Sequence, residues 1–158
     1  LTQLVHYTFL AHTPYLLARD ETAAALGTLG RMAEKATQLS SDPFERWASK
    51  AISHLRARNV ALASESMGVI AAEGRAQRTY YFILALIHLE LQDALAATRE
   101  LSTLLDFNPM AAEALFLRAI VMARANPPQR DGARRDADLL VALLPDHPSA
   151  YLVRALVH

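Results

Sequence analysis

Along this chain the apolar residues recur at helical spacing and never settle into period-two alternation. Phe82, Leu86 and Leu89 fall on one helical face, as do Phe116 and Ile120. Three proline sites read as helix starts. In "SSDPFER" Asp42 caps, Pro43 fills the first helical position, and Glu45 meets the positive end of the helix dipole. Asn108 with Pro109, and Asp146 or His147 with Pro148, repeat the device. The pattern predicts an all-α chain of about nine helices, near 2–12, 20–40, 43–57, 60–73, 76–91, 93–106, 109–125, 129–144 and 148–158. Turns are expected at "RN", "EGRA", "LQD", "ANPPQRDG" and "LPDH", with no strand.

These helices repeat. Ala51, Ala85, Ala119 and Ala155 are separated by 34, 34 and 36 residues, and Ala63, Ala97 and Ala133 follow behind at 34 and 36. A large residue stands four places before the first set, at Trp47, Tyr81, Leu115 and Tyr151. Ile70, Leu104 and Leu140 close the second helices, and Pro109 and Pro145 end two of the units. The two extra residues of the last period fit inside "ANPPQRDG", where lengthening a loop costs little.

The pattern resembles the tetratricopeptide repeat, a helix–turn–helix unit of about 34 residues. The resemblance covers residues 44–158, as repeats at about 44–77, 78–111 and 112–147 and the first helix of another at 148–158. Residues 1–42 match poorly and are expected to form degenerate or capping helices. Departures from the family pattern exist: Lys50, Arg118 and Arg154 take the usual Leu place, the Ala51 column stands where Gly is common, and Arg75 replaces Pro. The resemblance implies a right-handed superhelix of antiparallel helix pairs whose first helices line a concave face.

Carried over place by place, that face holds Ala48, Ile52, Phe82, Leu86, Leu89, Phe116 and Ile120, with Leu152 and Leu156 beyond them and Arg56, Glu90, Glu113 and Arg124 at the edge. An apolar trough with a charged rim suits a partner peptide or amphipathic helix. The competing expectation is that residues 1–19, with "LVHYTFL", fold back and fill it. The places where one type of this family grips a carboxylate with Lys, Asn and Arg carry Ala, Phe, Ile and Leu here, so a carboxylate clamp is not expected. "SAYLVRALVH" starts a hairpin and stops after one helix, so a continuation past His158 is expected, or self-association through 148–158.

Composition narrows the chemistry. Sixteen basic and sixteen acidic residues cancel, which disfavours a nucleic-acid surface. Without Cys there is no thiolate nucleophile or thiolate metal site. No apolar run reaches the roughly 18 residues of a membrane span, and the compartment stays open between cytoplasm and periplasm. His54, His88 and His158 share one repeat position, at spacings of 34 and 70 residues, which places them on separate hairpins, roughly 10 Å apart per repeat, too far to share an ion. No Gly-rich phosphate loop, HExxH or Ser/His/Asp signature is present. A non-catalytic protein-interaction scaffold without cofactor is therefore expected. The alternative is a substrate-positioning part of a bacterial envelope, secretion or biosynthesis machine whose catalytic or membrane part lies elsewhere. A bacterial source is suggested by the excess of Arg over Lys and the abundance of Ala.

Overall fold

The computed structural model describes residues 42–75 and 77–158. The helices expected near 2–12 and 20–40, and the capping role of 1–42, lie outside the described residues. Those described form eight helices and no strand. They are α1 (Pro43–Arg56), α2 (Val60–Val69), α3 (Ala71–Gly74), α4 (Arg78–Glu90), α5 (Ala94–Phe107), α6 (Ala112–Arg124), α7 (Arg130–Leu143) and α8 (Pro148–Val157).

The first helix starts as expected: the Asp42 carboxylate accepts from the Phe44 amide at 2.9 Å, and Pro43 opens α1. His147 caps α8, its Nδ1 accepting from the Ser149 amide at 3.3 Å. Two boundaries differ from expectation. Asn108 does not cap a helix beginning at Pro109. Its Oδ1 accepts from the Met110 amide at 3.2 Å and its carbonyl from the Ala111 amide at 3.1 Å, so the segment makes a turn and α6 begins at Ala112. Asn forms such local turns readily because its side chain imitates the backbone. The single helix expected over 60–73 is broken at Ile70 (φ −105°, ψ 13°), just after the weak helix former Gly68. The break turns Ile70 inward to 3% exposure and sends the short α3 toward α4.

Helices pack as pairs: α1 with α2, α4 with α5, and α6 with α7, while α8 lies on both α6 and α7. The short connections make each pair antiparallel. Neighbouring pairs meet through α2 and α3 against α4, and through α5 against α6. Six of the periodic small residues form contact seams: Ala51, Ala85 and Ala119 on the first helices and Ala63, Ala97 and Ala133 on the second are fully buried, whereas Ala155, the fourth of the first set, is exposed on α8. Ile70, Leu104 and Leu140, the closing residues, are buried in the same core. Where helices cross most closely even a methyl is excluded. A Cβ at Gly74 would run into the Tyr80 ring, and one at Gly132 would stand 2.9 Å from the Met122 sulfur.

One turn occurs twice, 34 residues apart. Arg58 (φ 56°) and Gln92 (φ 60°) sit in the left-handed region after α1 and α4. Their amides donate to Leu55 and Leu89 carbonyls, and the next amides, of Asn59 and Asp93, reach back to His54 and His88 at 2.8 Å. Asn59 and Asp93 then cap α2 and α5 through the amides of Leu62 and Ala96, at 3.2 and 2.9 Å. The third connection, 125–129, is two residues longer than 57–59 and 91–93, which places the extra residues of the last period in this loop.

Candidate functional site

The first helices meet unequally. α1 packs on α4, and α6 on α8, but α4 and α6 make no comparable contact. A cleft of about 270 Å³ opens there. Among the described residues its walls are Leu89 and Glu90 at the end of α4, Gln92 in the turn, Ala94 at the start of α5, and Leu117, Ile120, Val121 and Arg124 along α6. The left-handed turn at Gln92 stops α4 beside the opening and starts α5 along its wall. The lining is mainly aliphatic, with one carboxylate and one guanidinium. Leu91 and Leu95, each 56% exposed, flank Gln92 and Ala94 in the chain.

Of the nine residues expected to make a partner groove, Leu89, Glu90, Ile120 and Arg124 come together in this cleft. Ile52, Phe82, Leu86 and Phe116 do not line it; all four are buried, as Ile120 largely is. Arg56 stands exposed in the last turn of α1. Gln92, Ala94, Leu117 and Val121 line the cleft but were not among the expected residues. Family positions carried onto single helices point at a face, whereas this opening depends on how two helix pairs sit.

A partly buried polar network holds the α6 wall. Arg118 donates from Nε to Asp136 Oδ2 at 2.7 Å, from Nη2 to Oδ1 at 2.8 Å, and from Nη1 to Ser102 Oγ at 2.9 Å. The Ser102 hydroxyl donates onward to the Thr98 carbonyl at 2.8 Å. One side chain thus ties α6 to α7 and α5, with paired bonds of the stronger, charge-assisted kind. His88 lies 3.9 Å from Glu100 across the α4–α5 pair; both are half-buried. Burial pushes the Tyr80 phenol above its ordinary value, partly offset by the Arg75 charge.

Among the described residues no cluster of three His, Asp or Glu is placed to hold a metal ion. No described helix is long and apolar enough to cross a membrane. Comparison of the chain with protein-family models, curated proteins and solved structures finds no match.

Proposed function

We propose that this chain is a non-catalytic binding scaffold, built as a right-handed superhelix of tetratricopeptide-like helix pairs, that docks a peptide or helix of a partner protein. The supporting observation is the cleft between α4 and α6. Its volume of about 270 Å³ falls below the roughly 300–1,000 Å³ usual for small-molecule sites. One or two apolar side chains of a peptide match it better than a cofactor does. Leu89, Leu117, Ile120 and Val121 supply the apolar contact, and Glu90 and Arg124, of opposite sign, orient the incoming segment. The recurrence of one capped turn at 34 residues and the buried alanine seams support the repeat architecture. Walls held by packed pairs and the Arg118 network need little ordering on binding, so apolar contact is retained as affinity.

The test compares the full chain with a Leu89→Glu/Ala94→Glu variant of unchanged thermal melt, each used to capture proteins from its source cells. Both residues are only partly buried, so the variant is expected to fold. A partner recovered by the parent and lost from the variant supports the proposal. Equal recovery by the two, or recovery by neither, overturns it.

A further inference from the structure

The first helices α1, α4 and α6 each end on a charged residue, and the three stand 34 residues apart: Arg56, Glu90 and Arg124. The C-terminal end of a helix carries partial negative charge from its last carbonyl groups, so a cation is stabilised there and a carboxylate is not. Arg56 and Arg124 follow that rule, and Glu90 breaks it. Among the described residues no hydrogen bond or ion pair holds the Glu90 carboxylate, although the residue is half-buried. Three residues on, the Asp93 carboxylate adds a second negative charge while it caps α5. Residues that break a local preference without a compensating contact concentrate at functional sites.

Glu90 lines the cleft. It stands on the α4 wall beside Leu89, across from the apolar Leu117, Ile120 and Val121 of α6. Arg124 stands on the α6 wall, where the negative end of its own helix already favours its charge. The two walls are therefore unequal: the α6 side is electrostatically settled, and the α4 side gains from an incoming cation. A carboxylate set against an apolar wall attracts that cation more strongly than one in open water.

We propose that the segment docked in this cleft carries a lysine or arginine within one helical turn of an aliphatic anchor. The anchor rests on Leu117, Ile120 and Val121, and the cation lies against Glu90. This rests on the docking role proposed above and adds the chemistry of the partner. In a helical segment, residues three or four apart share one face and stand about 5–6 Å from each other, so one face presents both groups to the cleft. An acidic residue at the same place meets like charge and is rejected.

The unmodified 158-residue chain, methyl-labelled, is titrated with three capped peptides that differ at one position, four places after a Leu-Ile pair, which holds Lys, Gln or Glu. Shifts are followed at the methyl groups of Leu89, Leu117, Ile120 and Val121. The Lys peptide is expected to bind about three- to tenfold more tightly than the Glu peptide, with the Gln peptide between them. Glu90→Gln should erase that order and keep the affinity for the Gln peptide. Removing a carboxylate from a helix C-terminus should leave the thermal melt equal or higher. Equal affinity for the three peptides, a preference for Glu, or an order that survives Glu90→Gln overturns the inference and leaves the docking role standing. No shift at these methyls with any of the peptides overturns both.

Discussion

Three basic side chains, Lys50, Arg118 and Arg154, share one place in the recurrence of the sequence, and they find two kinds of relief. Lys50 lies 4.1 Å from the centre of the Trp47 ring and Arg154 5.3 Å from that of Tyr151, each over an aromatic three residues earlier. Leu115 stands at that place before Arg118, so no ring is offered and Arg118 turns inward to Asp136. The Asp136 carboxylate is 8% exposed. Asp136→Ala strands the guanidinium and is expected to cost about 3 kcal/mol in urea unfolding. Arg118→Leu/Asp136→Leu restores an apolar seam and should recover most of that loss. A double variant as unstable as the single one would show that the pair is not the source of the effect. Arg58 and Gln92 hold left-handed backbone without glycine. Gln92→Gly should therefore stabilise by about 0.5–1 kcal/mol, read as a rise of a few degrees in Tm; a fall would mean that the Gln92 side chain matters more than its backbone. The Tyr80 phenol is held above its ordinary value by burial. Its neutral form thus stabilises the fold fully below about pH 10, and that contribution is lost as pH rises through the higher folded value. Tyr80→Phe should flatten the alkaline fall of Tm.

At the scale of the element, the helices were readable wherever a local signal sufficed. Asp42 with Pro43 marked a start, and the 34-residue recurrence of small residues marked the seams between helices. The signals that failed were ones decided by neighbours. Pro109 looked like a helix start, but the Asn108 side chain closes a turn first. The break at Ile70 coincides with burial of its side chain, a tertiary contact that helical periodicity does not encode. The seams make a sharp prediction. Ala97 is fully buried, so Ala97→Leu forces the α4–α5 pair apart and is expected to cost about 1–3 kcal/mol. Ala142→Leu, on the exposed side of α7, should stay within about 0.5 kcal/mol. Equal effects at the two sites in thermal unfolding would contradict close packing at the alanine seam.

Across the whole molecule, an apolar row along the first helices could be read from spacing, but not whether it is open. Phe82 and Phe116 were placed on a partner-facing groove, and the same residues are buried. Spacing reports that a face is apolar, and an apolar face is equally suited to a partner or to another part of the same chain. The cleft was half-readable: Leu89, Glu90, Ile120 and Arg124 were expected to act together, whereas Gln92, Ala94, Leu117 and Val121 join them only through the separation of α4 from α6. The most direct measurement is methyl chemical-shift mapping of the full chain, titrated with the interacting segment of the partner captured above. Shifts centred on Leu89, Leu117, Ile120 and Val121, and lost in the Leu89→Glu/Ala94→Glu variant, are expected. Shifts centred on α2 or on the outer side of α7, unchanged by that variant, would contradict a docking site between α4 and α6.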